Sequence, residues 1–191
     1  PIRSSLVWPA TGGPAATAQI ACPTAIAVDA SGNLYIADER NNRIRKGSPA
    51  GIINTVAGSG PPNSGGGFSG DGGPATAARL ANPTGVAVDI SGNLYIADSG
   101  NNRVRRVSPD GIMTTVAGSG PSFPGGDAGF SGDGGPATAA QLKPSGTVVD
   151  SSGNLFIADS TNNRIRLVTP EGTITTVAGG GSSLGDGPAT A

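Results

Sequence analysis

Short β-branched and apolar runs alternate with Gly, Asn, Asp and Pro clusters along the whole chain. In one stretch, Gly85-Val86-Ala87-Val88 ends at Asp89, and a Ser91-Gly92-Asn93 turn leads to Leu94-Tyr95-Ile96-Ala97. Ser99-Gly100-Asn101-Asn102 then turns into Arg103-Val104-Arg105-Arg106-Val107, and Pro109-Asp110-Gly111 into Ile112-Met113-Thr114-Thr115-Val116-Ala117. Four short runs separated by turn residues predict an antiparallel meander of four strands. The first strand holds only Gly, Ala and Val and fits a crowded place. The second is apolar on both faces, as in a sheet covered on both sides.

The pattern repeats. Ser31-Gly32-Asn33-Leu34-Tyr35-Ile36-Ala37-Asp38 returns as residues 91–98 and, with Phe156 in place of Tyr, as 152–159, at intervals of 60 and 61 residues. Asn41-Asn42-Arg43 and Thr55-Val56-Ala57-Gly58 recur in the same register. Regular repetition of one supersecondary unit signals a repeat architecture. Four strands per unit predict an all-β fold of β-propeller blades, each a four-stranded antiparallel sheet with its small-residue strand nearest the axis. A solenoid would need only one or two strands per turn.

Composition changes the picture in three ways. Glycine (33) and proline (16) are abundant, but at fixed phases of the repeat, so they mark turns rather than disorder. Twelve Lys and Arg against 13 Asp and Glu leave a net charge of −1, with no electrostatic footprint for nucleic acid or an anionic membrane. Histidine is absent and Cys22 is the single cysteine, which excludes His-based triads, His-ligated zinc and an internal disulfide. No apolar run approaches the ~18 residues that span a bilayer. A chain beginning at Pro1, without a visible signal peptide, reads as a processed product or an excerpt.

Gly-Asn-Leu-Tyr-Ile-Ala-Asp followed by Asn-Asn-Arg-Ile-Arg resembles the NHL repeat, which implies β-propeller blades over about residues 23–180. The unit is longer than the roughly 40–45 residues of such repeats. The surplus lies at 58–83 and 118–144 and carries Phe68-Ser69-Gly70-Asp71-Gly72-Gly73-Pro74-Ala75-Thr76-Ala77-Ala78 and its near copy at 130–140. This insert resembles the NHL repeats of teneurins and of large secreted bacterial proteins. That likeness, with Gly/Ser/Thr/Pro-rich loops and little lysine, implies a secreted or cell-surface setting.

Three blades are expected at 24–57, 84–117 and 145–178, too few to close a propeller, which takes four to eight. Residues 1–18 read as a surplus outer strand (Ile2–Trp8) plus a connector, and 179–191 as the connector to a next blade. The expected partners are a second copy of the chain, in a ring or filament, or further blades of a longer polypeptide.

Candidate chemistry is sparse. Asp38, Asp98 and Asp159 with Arg43, Arg103 and Arg164 read as structural pairs at blade junctions. Eight of the 12 basic residues lie in third strands, spread around a ring and matched by acids, which does not favour an RNA-binding propeller; stacking aromatics are also scarce. The turn carboxylates Asp71, Asp133 and Asp186 sit in Gly-Asp-Gly turns that could hold Ca²⁺ or an anion. One carboxylate per turn, and Thr11 in that phase of the first copy, point instead to an Asp-capped turn opening a short helical turn at Ala75–Ala78. Asp29-x-Ser31-Gly32-Asn33 reads as hairpin chemistry, and Cys22, in the phase of Asn82, as an inert substitution. No nucleophile is paired with a base, so no catalytic residue, metal or cofactor is assigned. The expected function is a non-enzymatic module for protein interaction or self-assembly. The alternative is a ligand-binding or lyase-like propeller whose axial site forms only in a complete ring.

Overall fold

Proline opens each innermost strand, where its missing N–H costs no ladder bond. The computed structural model describes residues 11–60, 66–120 and 129–180. Its strands are β1 (Thr11–Pro14), β2 (Pro23–Val28), β3 (Leu34–Asp38), β4 (Arg43–Gly47) and β5 (Ile52–Ala57). The second unit holds β6 (Pro83–Val88), β7 (Leu94–Asp98), β8 (Arg103–Val107) and β9 (Met113–Ala117). The third holds β10 (Pro144–Val149), β11 (Leu155–Asp159), β12 (Arg164–Val168) and β13 (Ile174–Gly179). Each unit is an antiparallel meander in sequence order, and β1 adds a fifth strand beside β5. The fold is all-β, three β-propeller blades in an open arc.

The turns explain the repeated signatures. After β2, the Asp29 carboxylate accepts from the backbone N–H of Ser31 and Asn33, the Asn33 side chain and the Tyr35 hydroxyl. Asp89 and Asp150 hold the same turn. In the Asn-Asn pair after each second strand, the two residues do different work. Asn41, Asn101 and Asn162 donate to the buried aspartate of that strand. Asn42, Asn102 and Asn163 take left-handed backbone angles (φ 52°, 53° and 53°), which asparagine tolerates and β-branched residues do not.

The connectors pair with the blade they lead into. Gly13 and Pro14 lie opposite Ile53 and Ile52 of β5. Gly72 and Ala75 donate to Met113 and Gly111, and Gly134 and Ala137 to Ile174 and Gly172. The Gly-Gly-Pro-Ala motif is therefore an edge segment on the following blade's outer strand. The proposed strand Ile2–Trp8 and the terminal connector lie outside the described residues.

Two apolar layers hold the blades face to face. One joins Tyr35, Ala37 and Ile44 of the first blade to Val86, Leu94 and Ile96 of the second, with Ala75, Ala78 and Leu80 of the connector between them. The other joins Val104 and Ala117 to Leu155, Ile157 and Ile174, with Ala137, Ala140 and Leu142 between. Near the axis β6 runs so close to β10 that a Cβ on Gly85 would lie 2.8 Å from Gly146 Cα. The small-residue strand is thus the crowded one.

Candidate functional site

Each blade fastens its incoming connector through one buried aspartate. Asp98 ends β7 with no exposure, and its Oδ1 accepts from the Ala81 N–H at 2.7 Å, fastening the connector just before β6. Its Oδ2 accepts from Asn101 Nδ2 at 2.7 Å and from Arg105 Nη1 at 3.4 Å. Burial pushes the Asp98 carboxyl up to about 6, against the pull of Ala81, Asn101 and Arg105. Asp38 and Asp159 repeat the arrangement with the N–H groups of Ala21 and Lys143.

The expected pairs Asp38–Arg43, Asp98–Arg103 and Asp159–Arg164 need correction. Each Arg lies directly opposite its Asp in strand register, but the ion pairs run to Arg45, Arg105 and Arg166, two residues on. The register of β8 against β9 shifts between Val104 and Arg105, and such bulges add twist and re-aim side chains. Arg103 instead donates to the carbonyls of Asn101 and Ser119. The missed partner had a signal: a second arginine follows the first at the same spacing in every unit.

The turn carboxylates also have another role. Asp71 accepts from Arg105 Nη2 at 2.6 Å and from Thr115 Oγ1 at 2.7 Å, and Asp133 from Arg166 Nη2 at 2.7 Å. They do not cap the helical turn: Ala137–Ala139 has Pro136 at its N-cap and no side-chain cap. The buried arginine draws the carboxylate away. Asp186 lies outside the described residues. Phe68 covers Arg103 and Arg105, with ring-to-guanidinium distances of 3.8 and 4.7 Å, and Phe130 covers Arg164 and Arg166 at the same distances. In the second and third units the connector is thereby held by two aspartates and an aromatic lid. No cluster of three His, Cys, Asp or Glu fit for a metal occurs among the described residues. Cys22 is exposed with its Sγ 3.5 Å from Glu39 Oε2, and shares the positive φ of Asn82.

The outermost faces present the same residues uncovered. Ile44 and Val104 are fully buried against the next blade, whereas Ile165, in the same phase, is 38% exposed. Toward the preceding blade, Val86 and Thr147 are 5% and 9% exposed, but Ile26 is 66%. Ala87 is 8% exposed and Val148, its counterpart in the third blade, 64%. An open apolar hollow on the third blade is lined by Val148, Phe156, Ala158 and Ile165. The leading face of the first blade and the trailing face of the third are thus the two halves of the junction that the chain forms twice internally.

The Teneurin NHL domain model matches residues 61–124 and 116–191, and the NHL repeat model matches residues 21–46. Mouse Teneurin-1 is 44% identical over 94 residues, covering 44% of this chain and 3% of that protein. Teneurin-m of Drosophila melanogaster is 29% identical over 183 residues, 91% of this chain and 6% of that one. A crystal structure of a protein of unknown function from Bacteroides thetaiotaomicron superposes with a TM-score of 0.58 at 25% identity, over 71% of this chain and 32% of that one. The chain therefore spans a small part of the teneurins it matches. Blade architecture, buried Asp–Asn–Arg junctions and family match agree: the chain belongs to the teneurin NHL domain family.

Proposed function

We propose that this chain is a non-enzymatic interaction module of a secreted or cell-surface protein, working through its two open blade faces. Membership of the teneurin NHL family supports the setting, as do the Gly/Ser/Thr/Pro-rich loops. The carrying observation is the contrast between Ile165, 38% exposed, and Ile44 and Val104, which are fully buried in the same phase. An apolar residue that every internal junction buries, left open at the end of the arc, marks an interaction surface.

The occupant that fits is a further blade of the same repeat: a second copy of this chain, with a further blade of a longer polypeptide as the alternative. The leading face around Ile26 and Val28 meets the trailing face around Val148 and Ile165, as the second blade meets the third. This is a heterologous contact, which closes into a ring or runs on as a filament according to the rotation per subunit. Light scattering across a dilution series tests it. A particle heavier than 18.4 kDa that dissociates on dilution supports the reading. A monomer of 18.4 kDa at every concentration overturns it.

A further inference from the structure

The groove between the second and third blades differs from its counterpart between the first and second. In the first junction the Tyr35 ring is buried and Lys46 Nζ lies over it at 5.3 Å, which plugs the space. In the second, the corresponding Tyr95 is only half-buried, and Arg106 stands in the phase of Lys46. A cavity of about 260 Å³ opens there, with Tyr95 and Arg106 on one side and Val116, Leu155, Val168 and Pro170 around it.

Arg106 is the unusual member. Its Nε is buried without a hydrogen-bond partner, as are those of Arg45 and Arg166. The ion pairs among the described residues engage Arg45, Arg105 and Arg166 but not Arg106. The nearby carboxylate of Asp89 is already engaged by the Ser91 and Asn93 N–H groups, the Asn93 side chain and the Tyr95 hydroxyl. A buried donor without an acceptor is costly unless something fills the place. A guanidinium is built to bind a carboxylate through two parallel N–H bonds.

We propose that this groove is a binding site for a short aliphatic carboxylate, its anion on Arg106 and its chain over Val116, Leu155 and Val168. Leu155 and Val168 are buried and form an apolar floor. The volume has room for roughly eight water-sized groups, about the size of a six-carbon acid. The site lies wholly within the described blades and does not depend on the open outer faces.

The test is a titration of the full chain with hexanoate, followed by NMR at Arg106 Nε–H and the Val116 and Val168 methyls. Hexanamide, of the same shape without the charge, is the control on the wild-type protein. The expected result is saturable shifts at those groups with hexanoate, and binding weaker by about tenfold or more with hexanamide. Arg106→Leu, the residue that Leu167 already supplies in the third blade, gives the same loss with an unchanged amide spectrum. Arg106→Lys retains part of the binding. Absence of saturable shifts with hexanoate, equal binding of hexanamide, or full binding by Arg106→Leu would each overturn the proposal.

Discussion

Arg105 and Asp98 meet at 3.4 Å with both side chains fully buried, although Arg103 is the residue directly opposite Asp98 in the sheet. The same arginine binds Asp71 at 2.6 Å, so one guanidinium ties the end of β7 to the connector. Removing one member of a buried pair leaves a desolvated charge behind, which costs about 3–5 kcal/mol. Arg105→Leu should therefore lower stability by that order, and Arg103→Leu, which loses a half-exposed side chain on carbonyls and Phe68, by about 1 kcal/mol. Urea unfolding at pH 8 gives the check. A double-mutant cycle of Asp98→Ala with Arg105→Leu should show coupling of about 1–3 kcal/mol, and Asp98→Ala with Arg103→Leu near additivity. The reverse order of couplings contradicts the corrected pairing.

Asp98 also makes a pH prediction. Burial pushes its carboxyl up to about 6 in the fold, from an ordinary value of 3.8. Between those values the folded chain keeps a proton that the unfolded chain has released. This contribution to stability is complete below the unfolded value and is lost as pH rises through about 6. Its size is on the order of 3 kcal/mol. Asp29 and Asp150 lie below their usual range, held first by the side chains of Asn33 and Asn154, and act in the opposite sense. They cancel when wild type is compared with Asp98→Asn. The wild type should gain stability over the variant as pH falls from 7 to about 4. A difference that stays level or shrinks over that range contradicts the assignment.

Gly118 follows the outer strand of the second blade at φ 91°, and a Cβ there would lie 2.3 Å from the Asn102 carbonyl oxygen. Because the obstacle is backbone, no side-chain rotation relieves it. Gly118→Ala should cost more than the ordinary ~1 kcal/mol of a point substitution, reaching about 3 kcal/mol or more. The midpoint of thermal unfolding reports it; a change within the range of a surface substitution would mean that the turn can shift.

The blades were legible because their information is local. Strand spacing, the Asp29-type turns and the Gly/Ala/Val strand follow from neighbours in sequence, and repetition supplied three readings of each. The junction chemistry was legible only as to residue type. Asp98 and the arginines stood out, but choosing Arg105 over Arg103 depends on the register shift between β8 and β9, which no local pattern displays. The roles of Asp71 and Phe68 depend on the connector folding back over the third strand. Its Gly-Asp-Gly-Gly-Pro sequence reads as a turn with equal ease. The cavity beside Arg106 was hidden because it arises from two blades packing together, and Arg106 looks like one more basic residue in a basic strand.

If the leading and trailing faces are complementary halves of one junction, a charge placed on either face blocks assembly through it. Ile26→Lys blocks the first and Ile165→Lys the second, both at positions already exposed. Light scattering of each variant alone and of their equimolar mixture is the check. Each variant alone should be an 18.4 kDa particle, and the mixture should form a one-to-one complex of about twice that mass, through the one intact face on each partner. Self-assembly of either variant alone, or a mixture that stays at 18.4 kDa, would contradict it.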